Sequence, residues 1–278
     1  MSAMDRLRLE AKYRAWSFAM CAAGSFVRAQ SRIRRALYPG KEDGLDTVVL
    51  LHGLWMGSSC MRVLARCYAA AGYRVVFIDY RCSAEPATVY LAIQRSAARA
   101  AALGSRVHLV GHSCGGVLAV SAWLESQGDL DVESILCLGA PLNGSQAARE
   151  LLGHPAGRRT LGQTGGILCA PIARERPRHG LRQPRIAMLA GTRANGAARW
   201  LGVIGKDSDG MVEIDETRWA GLDQHVAIDY THRGLVHRRH VAAIAVAFTS
   251  GGGLVDVASP RRHQAPAPAG DAGQTSRG

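Results

Sequence analysis

Short apolar runs alternate with longer amphipathic segments from Thr47 onward, and this alternation is the strongest pattern in the chain. The runs are TVVLL at 47–51, YRVVFID at 73–79, RVHLV at 106–110, SILCL at 134–138 and RIAMLA at 185–190, with a shorter one at 226–229. Continuous stretches of Val, Ile and Leu, without polar alternation, are typical of strands covered on both faces of a parallel sheet. Six strands are therefore predicted.

The segments between these runs have helical periodicity. Helices are predicted at 60–71, 88–103, 115–126 and about 238–248. Strands that alternate with helices of this length indicate βαβ units, in which each helix crosses over one face of the sheet. The chain from residue 41 to 250 is accordingly predicted to be one α/β domain with a mostly parallel, doubly wound sheet.

Three segments fall outside this alternation. Residues 141–184 are rich in Gly, Pro and Arg without clean periodicity, which predicts an insertion between two strands. Residues 251–278 contain too few large apolar side chains to form a core and are predicted to be a disordered tail. Residues 1–40 are predicted to contain one basic amphipathic helix, because apolar side chains recur there at helical spacing. That stripe consists of Leu9, Tyr13, Trp16, Met20, Ala23 and Val27.

The 278-residue chain has a net charge of +12, from 34 basic and 22 acidic side chains. Residues 1–40 and 149–185 each carry eight basic and two acidic residues, which accounts for the whole excess. No helix-turn-helix, zinc-finger or RNA-binding signature accompanies this charge, so no nucleic-acid partner is predicted. The N-terminal helix is expected to pack on the domain. Peripheral contact with an anionic membrane, through this helix and the arginines of the insertion, is the alternative. Those arginines are Arg158, Arg159, Arg174, Arg176, Arg178 and Arg182.

The seven cysteines indicate a reducing compartment. Their number is odd, no Cys-x-x-Cys pair or Cys/His zinc spacing occurs, and several lie in apolar runs, where a reduced cysteine is a small hydrophobic residue. No apolar stretch is long enough to cross a bilayer, and the N-terminal segment is a poor signal peptide. The expected location is cytoplasmic, and no metal site is predicted.

The sequence Gly111-His112-Ser113-Cys114-Gly115 follows the run RVHLV directly and opens a predicted helix. In this strand-turn-helix setting a serine is held on a sharp turn at the end of a sheet, where its hydroxyl is exposed. A Gly-rich turn of a nucleotide-binding fold is the competing interpretation. Neither G-x-G-x-x-G nor a P-loop lysine is present, and no cofactor is predicted.

A serine hydroxyl needs a base that removes its proton and an acid that orients the base. In a doubly wound sheet such groups lie beyond the carboxyl ends of the strands. Two loops C-terminal to Ser113 occupy such positions. One follows RIAMLA and contains GKDSDGMV at 205–212, and the other follows VAID and contains YTH at 230–232.

From His52-Gly53 through the last helix, the chain resembles the α/β-hydrolase superfamily, in particular its lipase and esterase members. The motifs that carry the resemblance are VVLLHGLW, the elbow GHSCGG, and DGMV followed by the histidine of THRGL. The order Ser, Asp, His is that of the family. The resemblance implies a shortened sheet of about six strands, since residues 1–46 lack the preceding strand pair of larger members. It also implies that the insertion 141–184 is a cap or lid.

The resemblance further implies roles for individual residues. Ser113 would be the nucleophile, His232 the general base and then acid, and Asp209 the carboxylate that orients His232. The backbone N–H groups of Leu54 and Cys114 would form the oxyanion hole, where negative charge develops. The implied activity is hydrolysis of a carboxylic ester with an apolar acyl group, through an acyl-enzyme and without a cofactor.

The residues leave alternatives for the acid and the base. Asp207 and Asp215 are close to Asp209, but only Asp209 precedes Gly-x-Val. His225, His237 and His240 are alternative bases. The last two belong to a basic run, HRRH, that is expected on an exposed helical face.

Three further motif residues have competing interpretations. His52 and His112 adjoin motif glycines and are expected to orient the oxyanion loop and the elbow by hydrogen bonds. Cys114 stands one residue past the elbow apex and is expected to contribute only its N–H. A thioesterase, amidase or acyltransferase would use the same residues, and a binding protein on a hydrolase scaffold is the alternative from another class.

Overall fold

The computed structural model describes residues 46–177, 183–200 and 202–254. The helix predicted within residues 1–40 lies outside the described residues, as does the tail beyond Leu254. No helix in the described ranges is long and apolar enough to span a membrane.

Six strands form a single sheet in the order β2-β1-β3-β4-β5-β6, and every neighbouring pair is parallel. The prediction of an α/β fold with about six strands is confirmed, and the pairing is wholly rather than mostly parallel. The strands are β1 (Thr47–Leu51), β2 (Arg74–Ile78), β3 (Val107–His112), β4 (Ser134–Leu138), β5 (Arg185–Gly191) and β6 (Gln224–Ile228).

Helices lie between successive strands, as each parallel pairing requires a crossover, and two further helices follow β6. They are α1 (Arg62–Ala70), α2 (Pro86–Ala101), α3 (Cys114–Glu125), α4 (Gln146–Leu152), α5 (Pro155–Gly166), α6 (Ala197–Trp200), α7 (Gly234–His237) and α8 (Arg239–Thr249). Short 3-10 turns occur at Ser58–Met61, Ile167–Cys169 and Asp215–Thr217. The helix predicted from residue 60 begins at Arg62 because its first residues form the first of these turns.

The sheet separates two apolar cores. Alternate strand residues point to opposite faces, so Val49 and Leu51 join one core while Val48 and Leu50 join the other. Helices α2 and α3 cover the first face, and helices α1 and α8 cover the second. The largest fully buried side chain, Trp123 of α3, packs in the first core. Burial on both faces explains why the sequences of the strands are continuous apolar runs.

The strand order reverses direction at β1, whose neighbours are β2 and β3. In open parallel sheets a crevice forms at such a switch point, outside the carboxyl ends of the strands. His52 follows β1 and Ser113 follows β3. The fold therefore brings the His-Gly motif and the elbow to the same crevice.

The segment 141–184 connects β4 to β5 and contains α4, α5 and the turn Ile167–Cys169. Its lack of clean periodicity has a physical cause, since α4 is short and Gly162 interrupts α5 with φ 62° and ψ −170°. Two of its arginines form ion pairs with the domain: Arg174 with Glu125 at 3.0 Å and Arg176 with Asp223 at 2.8 Å. The cap or lid role of the segment stays a prediction.

The residues that follow the predicted domain boundary at residue 250 contact the domain as far as Leu254. Leu254 is fully buried, and its N–H donates to Oε1 of Gln224 at 2.7 Å. The carbonyl of Gly252 accepts a hydrogen bond from Arg185 at 3.3 Å. Residues 251–254 thus pack on the domain, and the side chain of Leu254 joins the second core.

Candidate active site

Ser113 occupies a strained turn between the end of β3 and the start of α3. Its φ of 53° and ψ of −122° are rare for a residue with a side chain and cost on the order of 1–3 kcal/mol. The turn requires its glycines. A Cβ atom on Gly111 would lie 2.4 Å from the carbonyl of Gly115, and one on Gly115 would lie 2.4 Å from the carbonyl oxygen of Leu51.

Asp209 and His232 are joined by a short hydrogen bond. Oδ2 of Asp209 lies 2.6 Å from Nδ1 of His232, and the backbone N–H of His232 donates to the carbonyl of Asp209 at 2.9 Å. Oδ1 of Asp209 accepts from the N–H groups of Met211 and Val212 at 3.0 and 2.8 Å. Both carboxylate oxygens therefore have hydrogen-bond partners, which hold the side chain in one orientation. With its proton on Nδ1, the ring of His232 leaves Nε2 free to accept a proton.

Ser113 and His232 line the same cavity, which has a volume of about 850 Å³. Asp209 lies behind His232 with only 1 % of its surface exposed. Helices α4 and α5 and the turn at Ile167–Cys169 contribute an apolar wall to this cavity. Its side chains are Ala147, Ala148, Leu151, Leu161 and Leu168.

The loop after β1 runs alongside the serine. A Cβ atom on Gly53 would lie 3.3 Å from Cβ of Ser113, and Leu54 lines the cavity. Among the described residues, the backbone N–H groups of Leu54 and Cys114 have no hydrogen-bond acceptor. They are the two N–H groups that the resemblance assigns to the oxyanion hole.

His52 fixes the start of this loop. Its Nδ1–H donates to the carbonyl of Gly53 at 2.8 Å, and its Nε2 accepts the N–H of Tyr80 at 3.3 Å. The ring stacks on that of Tyr80, whose hydroxyl donates to the His52 carbonyl at 2.5 Å. Burial lowers the pKa of His52, which keeps the ring in the neutral form that this pattern needs.

His112 links the elbow to the loop that carries His232. Nε2 of His112 lies 3.0 Å from the carbonyl oxygen of His232, and the two rings are 4.6 Å apart. Burial, followed by the neighbouring His232, holds the pKa of His112 well below its usual range. A carbonyl only accepts, so the neutral ring carries its proton on Nε2. Nδ1 is buried and has no partner among the described residues.

The alternative acids and bases have surroundings that differ from those of Asp209 and His232. Asp207 and Asp215 are exposed, and Asp215 pairs with Arg218 at 3.0 Å. Nε2 of His225 is bonded to Thr217 Oγ1 at 2.7 Å, outside the cavity. His240 contacts the hydroxyl of Tyr230 at 3.3 Å.

His237 differs from its sequence-based interpretation. It is exposed, as expected of the HRRH run, but it ends α7 and lines the cavity. The run is not one helix, because Arg238 is extended with φ −100° and ψ 129° between α7 and α8. This break turns His237 toward the crevice.

Cys114 is unsuited to act as a nucleophile. Its thiol is fully buried, and burial raises its pKa to about 12. A thiol attacks as the thiolate, which is scarce at neutral pH under these conditions. No group of His, Cys, Asp and Glu within the described ranges is arranged to hold a metal ion.

Two residues that the sequence did not single out support the site. The carboxylate of Glu216 is buried and accepts the N–H of Gln146 at 2.5 Å and that of Glu213 at 2.9 Å. It thus ties the loop after Asp209 to the start of α4. Nε1–H of Trp55 donates to the carbonyl of Thr160 at 2.9 Å, which ties the loop after β1 to α5. No local pattern distinguishes Glu216, whereas Trp55 has a signal in the motif HGLW.

Comparisons with known proteins agree with this architecture. The model of the alpha/beta hydrolase family matches residues 48–269. Among solved structures, the mature Bacillus licheniformis lipase BlEst2 superposes with a TM-score of 0.61 at 19% identity, covering 76% of this chain and 95% of the lipase. The metagenomic carboxyl esterase MGS0156 superposes with a TM-score of 0.51 at 14% identity, covering 76% and 78%. No curated protein sequence is significantly similar to this chain.

Proposed function

Because the chain belongs to the alpha/beta hydrolase family, we propose that it hydrolyses carboxylic esters through an acyl-enzyme on Ser113. The observation that carries the proposal is the meeting of three features at one crevice. These are the strained serine, the Asp209–His232 hydrogen bond, and the cavity that Ser113 and His232 share. The structural neighbours, a lipase and a carboxyl esterase, support the same chemistry.

In the first half-reaction, Oγ of Ser113 attacks the carbonyl carbon of the ester while its proton passes to Nε2 of His232. The carbonyl electrons move to the oxygen, and the N–H groups of Leu54 and Cys114 bind the resulting oxyanion. The intermediate collapses, the bond from carbon to the alcohol oxygen breaks, and Nε2 returns its proton to that oxygen. The alcohol leaves, and Ser113 carries the acyl group.

In the second half-reaction, a water molecule attacks the acyl carbonyl carbon and gives a proton to Nε2 of His232. Collapse of this second intermediate breaks the bond to Ser113 and returns the proton to Oγ, so that the carboxylic acid is released. Asp209 stays ionised throughout and stabilises the imidazolium ring through the bond to Nδ1.

The apolar wall of the cavity favours an apolar acyl group. Leu151, Leu161 and Leu168 are buried leucines that reach the cavity from the segment between β4 and β5. Transfer of an acyl chain from water to such a wall contributes about 0.8 kcal/mol per buried methylene group. Turnover is therefore expected to rise with acyl length until the cavity is filled.

The decisive experiment labels the protein with a fluorophosphonate and maps the modified peptide. The label is expected on Ser113, and Ser113→Ala is expected to lower ester turnover by roughly 10⁴- to 10⁶-fold. Ser59→Ala is the matched control, because Ser59 also lines the cavity but does not belong to the elbow. A label on another serine, or near-normal turnover by Ser113→Ala, would contradict the proposal. A series of 4-nitrophenyl esters and thioesters of increasing acyl length identifies the preferred bond and chain.

A further inference from the structure

The cavity has two chemically different walls. The segment between β4 and β5 supplies the leucines of the apolar wall, whereas the loop that carries His232 supplies polar groups. Thr231, Arg233 and His237 from this loop all line the cavity. An ester bound beside Ser113 can therefore contact apolar side chains with one part and polar groups with another.

The polar wall carries the positive charge of Arg233. Asp and Glu are absent from the described residues that line the cavity. The carboxylates nearest to the crevice have other partners: Asp209 binds His232, and Asp79 accepts the N–H of Ser58 at 2.7 Å. Within the described ranges Arg233 forms no ion pair, in contrast to Arg174 and Arg176. Its guanidinium group is therefore available to a bound anion.

The charge of Arg233 acts inside the cavity. Burial and the nearby Asp79 carboxylate raise the pKa of the cavity-lining Cys60 thiol to about 12, and Arg233 opposes that rise, which places the guanidinium group near this part of the cavity. Burial, and then Arg233 and Arg238, lower the pKa of His237. His237 is accordingly a neutral ring that can donate one N–H to a ligand at neutral pH.

The position of Arg233 assigns this charge to one side of the ester. In the proposed reaction His232 returns a proton to the departing alcohol oxygen, so the alcohol portion lies against the loop that carries His232. Arg233 follows His232 directly in that loop, and His237 ends the short helix α7 that begins at Gly234. The acyl portion lies on the other side, against the leucines.

We propose that the natural substrate is an ester whose alcohol portion carries a phosphate or carboxylate group, which binds to Arg233 and His237. This inference rests on the proposed ester hydrolysis and adds the charge and the location of a second recognition group. Planar guanidinium groups bind both kinds of oxyanion with paired hydrogen bonds.

The test compares matched esters of one acyl group. For phosphate, 1-butyrylglycerol 3-phosphate is compared with 1-butyrylglycerol, and for carboxylate, butyryloxyacetate is compared with butyryloxyacetamide. The wild-type protein is expected to prefer the anionic member of at least one pair by roughly tenfold in kcat/KM, as one charge-assisted hydrogen bond would give. Added salt is expected to reduce this preference through screening. The pair with the larger preference identifies the anion.

Variants of Arg233 test whether this residue causes the preference for anionic esters. Arg233→Gln is expected to bring the ratio of kcat/KM for the anionic and neutral esters close to one, and Arg233→Lys is expected to keep part of it. Arg239→Gln is the matched control, because Arg239 is an exposed arginine of α8 that does not line the cavity. Its ratio is expected to equal that of the wild type.

Three results would overturn the inference: a wild-type ratio near one in both pairs, a ratio unchanged in Arg233→Gln, or an equal fall in Arg239→Gln. A preference for methyl hydrogen succinate over methyl butyrate would place the anion on the acyl side and would also overturn it. Failure of the proposed function looks different. In that case 1-butyrylglycerol is not hydrolysed, or Ser113→Ala hydrolyses it like the wild type.

Discussion

Oδ2 of Asp209 lies 2.6 Å from Nδ1 of His232, and the backbone of His232 donates back to the carbonyl of the same aspartate. Asp209 follows β5 and His232 follows β6, so one side-chain and one main-chain hydrogen bond join these two residues across the two loops. The pairing fixes both the tautomer and the direction of the imidazole ring. It leaves Nε2 as the ring nitrogen that can accept a proton, and His232 lines the cavity that Ser113 also lines.

The first prediction concerns this pair. Asp209→Asn presents an amide in place of the carboxylate, which removes the negative charge and favours the wrong imidazole tautomer. We expect kcat to fall by about 10⁴-fold with little change in fold. Steady-state ester hydrolysis and circular dichroism measure the two effects. Asp207→Asn is the control, since Asp207 is exposed, and its kcat is expected to be unchanged. Equal losses in both variants would contradict the role of Asp209.

The second prediction concerns His112 as a positioning residue. Its Nε2–H holds the carbonyl of His232, so its loss is expected to loosen the base without altering the substrate cavity. His112→Leu should lower kcat by about 10- to 100-fold, as do losses of orienting groups elsewhere, with KM nearly unchanged. His112→Gln places an N–H donor near the same carbonyl and should restore part of kcat. A rise in KM without a fall in kcat, or no rescue by His112→Gln, would show that His112 contributes only through packing.

The sequence predicts the sheet and its crevice well because both depend on local patterns. Buried parallel strands need continuous apolar runs, and the observed β1 and β4 have the predicted bounds, Thr47–Leu51 and Ser134–Leu138. The elbow is equally local, since Gly111 and Gly115 are needed wherever a serine sits on so tight a turn. The structure of such a motif can be predicted because it depends on residues that are adjacent in the sequence.

The remaining features depend on partners far away in the sequence. The sequence around Glu216 does not distinguish it from a surface acid. Only the fold shows that its carboxylate oxygens accept the N–H groups of Gln146 and Glu213. His237 belongs to an exposed basic run, and only the break at Arg238 turns it toward the cavity. The helices of the segment 141–184 escaped prediction because Gly162 interrupts the periodicity of the longer one.

The third prediction concerns Trp55, which has a φ of 58° in the loop that contains Leu54. Its Nε1–H bond to Thr160 holds this strained loop against α5. Trp55→Phe keeps the aromatic ring but removes the donor, and we expect the free energy of unfolding to fall by about 1 kcal/mol. We also expect kcat to fall several-fold, because the N–H of Leu54 loses its fixed direction. Chemical denaturation and ester kinetics measure these effects. Trp219→Phe, outside the cavity lining, is the control that should keep kcat.

The last prediction concerns acid stability and His108, which is fully buried in β3. Its Nδ1 is bonded to Oγ of Ser134 at 2.9 Å, and burial lowers its pKa to about 4. The unfolded chain binds this proton near pH 6.5, so between pH 6.5 and 4 the unfolded state holds more protons than the folded state. Stability therefore falls as the pH drops through this window. The expected loss from His108 alone is on the order of 3 kcal/mol.

Denaturant titrations at pH 4, 5, 6 and 7 on wild type, His108→Asn and His240→Asn test this origin. Asn preserves a polar group near Ser134 but does not titrate, so His108→Asn is expected to be less stable at pH 7 yet to lose less stability on acidification. Buried His52 and His112, whose pKa values are also lowered, will leave a residual slope in this variant. His240→Asn is the matched control at an exposed position, and we expect it to follow the wild-type curve. Parallel curves for His108→Asn and wild type would assign the acid sensitivity to the other buried histidines instead.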